Sequence, residues 1–259
     1  MVPPQHGAWA FLGLPVATGA VVSPWSPVLV PMLIAWVAAY PASYFVLAVV
    51  RDRAGRHPDP ARFVRPLAAW WSIALVAGIV TLVARPWLVW IALAYAASFV
   101  INIGFARRRD ERAIVNDLVF IAQCTAMVPV TWMVATGATT LMPPPLADAP
   151  EHLWVLTLAV ALLLTGSTLH VKSLIRERSD PRYTRASVAV ALASLAASVG
   201  LAAWWWLPAG WLLVLPFAFF AFRAVRLHDP SMRPAALGMV ELVGFLLLIG
   251  CAVLAQAVA

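Results

Sequence analysis

Apolar runs of about 18 residues or more recur along the whole chain, and each is long enough for roughly one bilayer crossing. With 63% hydrophobic and only 11% charged residues, a soluble domain is excluded. The expected fold is an all-α, polytopic membrane bundle of about nine helices. The spans read as 7–22, 28–50, 66–84, 86–106, 113–136, 153–171, 186–207, 209–222 and 235–259. The first and eighth are short and carry Pro15 and Pro216, which predicts tilted, kinked or partly re-entrant helices.

The formal net charge of +7 would suit a nucleic-acid partner, but the placement of the charges argues otherwise. Seventeen of the 18 Lys and Arg fall in four alternate connections. Arg51, Arg53, Arg56, Arg62 and Arg65 lie in one, and Arg107, Arg108, Arg109 and Arg112 in the next. Lys172, Arg176, Arg178, Arg182 and Arg185 follow, then Arg223, Arg226 and Arg233; Arg85 is the exception. This is the pattern of cytoplasmic loops, so the basic excess sets topology, with the N-terminus inside and the C-terminus outside. Membrane lipids are the expected partners, and no nucleic acid is. Trp25, Trp87, Trp90, Trp154, Trp204, Trp205, Trp206 and Trp211 fit an outer aromatic belt. The first residues have no basic region and no small-residue cleavage site, so they read as the start of a span, not as a signal peptide. Cys124 and Cys251 sit in apolar runs and read as core residues.

Two Arg-acid-Arg triplets, Arg51-Asp52-Arg53 and Arg176-Glu177-Arg178, each close an even-numbered helix. They suggest one membrane domain, 1–259, made of parallel repeat halves at 1–112 and 113–233 with a last helix at 234–259. Small residues four apart in span seven (Ala189, Ala193, Ala197 and Ser194, Ser198, Ala202) would let helices approach closely.

Candidate site residues follow from the costly polar groups near the cytoplasmic helix ends. On a helix, Lys172 and Arg176 share a face. With Arg51 and Arg53 they would form a basic ring able to bind phosphate oxygens, Arg178 lying close by; the alternative is that they snorkel to lipid headgroups. His170, Asp117 and Glu177 are the acid/base candidates. Gln5 and His6 at the first helix start, Asn102 in span four and Arg112 with Asn116 at the start of span five are further ligand contacts. Asp117 serves equally as a favourable charge in a first helical turn, and Glu241 in span nine as a partner for a cytoplasmic arginine. No metal-ligand spacing is present. Haem would rest on His6 and His170, two histidines without a local pattern. The intramembrane polar groups cluster in the cytoplasmic halves of the spans, Gln123 being the main exception, which favours a cavity open to the inside.

Gln5-His6-Gly7-Ala8-Trp9, the Arg112…Asn116-Asp117 stretch and Val171-Lys172-Ser173-Leu174-Ile175-Arg176-Glu177-Arg178 together resemble the YwiC-like family of bacterial membrane proteins. The resemblance spans most of the chain and implies a bacterial cytoplasmic membrane. The layout is also similar to the UbiA superfamily of intramembrane prenyltransferases, with nine helices and charged motifs after helices two and six. Arg65-Pro66-Leu67 falls where that superfamily often has a similar Arg-Pro. Its motifs are aspartate-rich and hold Mg²⁺ on the substrate diphosphate. Here Asp52 and Asp59 remain, but Lys172 and Arg176 stand where two carboxylates are expected. Two cations cannot hold Mg²⁺, so no cofactor is assigned, and direct binding of phosphate by basic groups is what carries over.

The expected function is binding of an anionic amphipathic ligand, such as an isoprenoid diphosphate, in a cytosol-facing cavity. Prenyl or lipid-group transfer is the reaction class if the protein is an enzyme. The alternatives are a small-anion transporter, which needs a polar route through the outer half, and a non-catalytic haem-handling subunit.

Overall fold

Every apolar run becomes a helix in the computed structural model of the chain, which describes residues 6–53, 59–111, 113–144, 146–204 and 209–258. Backbone polar groups in lipid must bond within their own segment, and helices achieve this. Among the described residues there are nine α-helices and no strand: α1 (His6–Val21), α2 (Leu29–Arg53), α3 (Ala61–Ala84), α4 (Leu88–Arg108), α5 (Ile114–Thr136), α6 (Glu151–Val171), α7 (Pro181–Trp204), α8 (Val214–Arg226) and α9 (Pro234–Val258). Eight helical segments are long and apolar enough to cross a membrane, and the apolar part of α1, Ala8–Val21, is shorter. The protein is a multi-pass membrane protein.

The helices overrun their apolar cores at the basic ends. Arg51 and Arg53 lie in the last turn of α2, Arg107 and Arg108 in that of α4, and Arg223 and Arg226 in that of α8. The last turns of α1, α3, α5, α7 and α9 carry no basic residue. Cations at a C-terminus also complement the helix dipole. α6 ends differently from the expected plain helix: a π turn, Lys172–Arg176, continues it, and the Glu177 N–H donates to the Lys172 carbonyl at 2.8 Å. Such wide turns recur at functional positions. The eighth span divides into a 3₁₀ segment, Ala209–Leu213, and α8. Pro216, near the start of α8, offers no N–H and its ring crowds the carbonyl four residues back, so regular α-helix starts only at Val214.

By packing, the chain forms two compact units. One holds Ser23–Gln123 and Val130–Asp148, where α2 packs along α3 and meets α4. The other holds His6–Val22, Cys124–Pro129 and Ala149–Ala259, where α6 packs on α7, α7 on α8, α8 on α9, and α1 on both α9 and α6. In this grouping α1 joins α6–α9, because its apolar faces meet α9 and α6. On α7 only one of the two small-residue rows is buried, that of Ser194, Ser198 and Ala202; Ala189 and Ala193 are exposed. Trp87 corrects the aromatic-belt reading. It is fully buried, its indole N–H donating to the Ala138 carbonyl at 3.2 Å, whereas Trp90 is exposed and reaches the Leu141 carbonyl at 3.1 Å.

Candidate functional site

The unit built from α1 and α6–α9 contains a buried polar cluster at the basic helix ends. α6 supplies Ser167 and His170, three residues apart on one face. α7 begins where Asp180 accepts the Arg182 N–H at 2.9 Å and Pro181 takes the first helical position, a strong start signal. That start brings Thr184 and Ser187 to one side of the helix. Ser187 Oγ faces His170 Nδ1 at 3.3 Å, and Thr184 Oγ1 faces His228 Nε2 at 3.4 Å. The His170 and His228 rings meet edge-on with centroids 6.1 Å apart. α8 supplies Arg223 and α9 supplies Glu241.

Arg223 and Glu241 form an ion pair, Nη1 to Oε1 at 2.9 Å, with side chains 1% and 8% exposed. The pair is charged contact without hydrogen-bond alignment: Arg223 Nε and Nη1 and Glu241 Oε1 have no hydrogen-bond partner. Each partner is held instead by something else. Ser167 Oγ donates to Glu241 Oε2 at 2.6 Å, and the Arg223 guanidinium lies 4.0 Å from the Phe220 ring centroid. His228 Nδ1 is also buried without a partner. Beyond α8 the chain turns at Asp229, whose carboxylate accepts the Ser231 hydroxyl at 2.7 Å and backbone N–H at 2.8 Å. Those bonds, the hydroxyl foremost, hold the Asp229 carboxyl below its usual range.

Two residues past His170, Lys172 is 2% exposed and Ser173 fully buried, whereas Arg176 and Arg178 are exposed and Glu177 half-buried. The shared face read for Lys172 and Arg176 thus has one buried and one solvent-facing member. Arg51 and Arg53 belong to the other unit. There Arg51 Nη1 is engaged by Glu111 at 3.0 Å and Asp52 by Arg62 at 2.6 Å, while Arg53 is exposed. The amides of that unit form a chain. Asn116 donates to the Glu111 carbonyl at 2.8 Å, and Asn102 donates to Asn116 Oδ1 at 2.7 Å. Further along, Gln123 donates to Ser98 Oγ at 2.6 Å, and Tyr95 donates to the Gln123 carbonyl at 2.6 Å. Asp117 is half-buried in the first turn of α5. Gln5, Arg112 and the side chain of His6 lie outside the described residues.

Of the residues gathered here, the sequence reading named His170 as a candidate and Glu241 as an arginine's partner, counted Arg223 only for topology, and did not single out Ser167, Thr184, Ser187 or His228. The available signal was that Arg223 lies almost a turn deeper in α8 than Arg226. Among the described residues no group of three or more His, Cys, Asp or Glu could hold a metal ion.

The YwiC-like protein family model matches residues 2–132. A protein of Bacillus subtilis (strain 168), "Uncharacterized protein YwiC", is 27% identical over 97% of both chains. An uncharacterized protein of Haemophilus influenzae is 24% identical over 93% of this chain and 92% of its own. No solved structure matches. Half the chain fits the family model, and both relatives match it over nearly their whole lengths: the chain belongs to the YwiC-like protein family.

Proposed function

We propose that this protein binds an anionic amphipathic ligand, with a phosphate or diphosphate head at the basic end of α6 and a hydrophobic, isoprenoid-type tail among the apolar helices. The burial of Lys172 carries this reading. A lysine that only anchors a helix to lipid headgroups snorkels outward with its ammonium in the interface. Lys172 is 2% exposed instead, on a π turn between His170 and the exposed Arg176. A buried ammonium offers charge and N–H donors suited to a phosphate oxygen, and the exposed Arg176 offers a guanidinium at the mouth. The nine-helix layout, with charged residues closing α2 and following α6, supports a likeness to the UbiA superfamily, and a lipid-group transfer would use His170 as proton acceptor or donor. The membrane is the bacterial cytoplasmic membrane, with the basic helix ends inside.

The test is binding of farnesyl diphosphate to the detergent-purified full chain. Each charge-assisted hydrogen bond is worth roughly 1.5–3 kcal/mol, so Lys172→Ala/Arg176→Ala should weaken binding about tenfold or more. Equal binding by the double variant removes the head group from this site.

A further inference from the structure

We propose that Arg223, Glu241 and His228 form a proton-linked contact for an oxyanion, in which the anion takes the place of Glu241 on Arg223 as Glu241 takes up a proton. The inference rests on the anion-binding reading above and names a second, deeper contact for the same head group.

The geometry that points there is a buried ion pair whose members do not fully satisfy one another. Arg223 Nη1 and Glu241 Oε1 meet at 2.9 Å without hydrogen-bond alignment, and Arg223 Nε and His228 Nδ1 are buried with no hydrogen-bond partner. A pair kept for stability alone would align its donors with its acceptor, since an uncompensated buried charge is costly. Here Ser167 holds the other carboxylate oxygen and Phe220 supports the guanidinium from its ring face, so Arg223 offers Nε at once and Nη1 when Glu241 is displaced. An oxyanion presents acceptors that match such a guanidinium edge. His228, half-buried where α8 ends beside the half-buried Thr184, is the least enclosed member and the side from which an anion would arrive.

Charge balance then calls for the proton. Arg223 and Glu241 together are neutral, and adding an anion inside a membrane unit would leave an uncompensated negative charge. Glu241 Oε1 is the oxygen that gives up Arg223 when the anion enters, so the proton goes there, and the carboxyl O–H can then donate to the anion. No covalent bond changes. The charged group facing Glu241 is Arg223 from α8, and α6 meets it with Ser167, His170 lying one turn further along that helix; the described side chains of α1 and of the 3₁₀ segment Ala209–Leu213 bring nothing titratable. His228 lies against His170 and is the other base in the cluster.

The experiment uses the detergent-purified full chain and methyl sulfate, an oxyanion of single charge that does not itself titrate between pH 6 and 8, with calorimetry in two buffers of different ionisation enthalpy. The expected result is uptake of about one proton per methyl sulfate, so that binding weakens about tenfold per unit rise in pH. Glu241→Gln, which imitates the protonated acid, should bind with no proton uptake and no pH slope, and Arg223→Gln should lose binding at least about tenfold. Competition by farnesyl diphosphate would assign the site to an amphiphile's head, and its absence to a free ion. Binding without proton uptake, and unchanged in Glu241→Gln, overturns the proton link while leaving the anion site standing. No binding of either probe overturns both.

Discussion

A guanidinium at the end of a membrane helix can satisfy carbonyls that the helix leaves open, which otherwise cost free energy in a dry environment. Arg85, the cation outside the four basic connections, is used this way. Its Nε donates to the Val134 carbonyl of α5 and its Nη1 to the Ala84 carbonyl of α3, both at 2.9 Å. It therefore ties two helix C-termini together beside Gly137, whose φ of +97° ends α5 in the left-handed region open to glycine. This explains why one arginine departs from the charge rule: it is spent on hydrogen bonds within the protein and leaves the topology signal intact. Arg85→Met keeps the length of the side chain and loses both bonds. It should destabilise the detergent-solubilised protein by about 2 kcal/mol, read as a lower midpoint in a thermal solubility assay, with the basic cluster around Arg223 unaffected. The same residue-level economy separates Lys172 from Arg176. One is drawn into the protein, the other stays at the surface, and helical spacing alone places them together.

At the scale of elements, the fit of α8 against α9 decides where Arg223 points. A Cβ on Gly244 would lie 2.2 Å from Phe220 Cε2 and 2.6 Å from its Cζ. The Phe220 ring has little freedom to move, being stacked on Phe245 with centroids 6.3 Å apart and covered by the Arg223 guanidinium on one side. Gly244→Ala should therefore cost about 1–3 kcal/mol by overpacking and disturb the Arg223–Glu241 contact with it. Adding Phe220→Leu should recover part of that loss, and a double-variant cycle of thermal midpoints measures the coupling. Gly250 of α9 has nothing within 4 Å of such a Cβ, so Gly250→Ala should be neutral or slightly stabilising. Additive effects of the Gly244 and Phe220 changes would refute the close fit. This contrast shows what could be read from the chain beforehand. Helix existence follows from apolar length, and so do the basic ends of the even-numbered helices. Which of several glycines carries a crossing, and that Glu241 meets Arg223 of all the arginines at the basic helix ends, depend on how two distant faces mesh, and local sequence does not encode that. The π turn after α6 was equally invisible, since Lys172–Arg176 has the composition of any basic helix end.

For the whole molecule, the strongest constraint is the alternation of helix ends. Helices α2, α4 and α8 and the π turn after α6 end in Arg, and the odd-numbered helices do not. Consecutive crossings with that alternation place the connections 109–113, 177–180 and 227–233 on one side of the membrane and 137–150 on the other, and the proposed orientation makes the first side cytoplasmic. Each even-numbered helix carries the signal independently, so one exceptional cation such as Arg85 does not upset it. It is weakest at α1. Sixteen residues rise about 24 Å, less than the roughly 30 Å of hydrocarbon, so a crossing by α1 requires local thinning or extension through the residues before it. Cysteine labelling separates these cases, because the native Cys124 and Cys251 are buried. In intact cells an impermeant maleimide should modify Thr139→Cys, which is exposed in the outer connection, and should reach the exposed Ser179→Cys only after permeabilisation. Labelling of both in intact cells, or the reverse order, would defeat the assigned orientation of α5 and α6. A cysteine at Val2 that behaves like Ser179→Cys establishes that α1 crosses; one that behaves like Thr139→Cys makes α1 re-entrant and leaves eight crossings, with both termini outside.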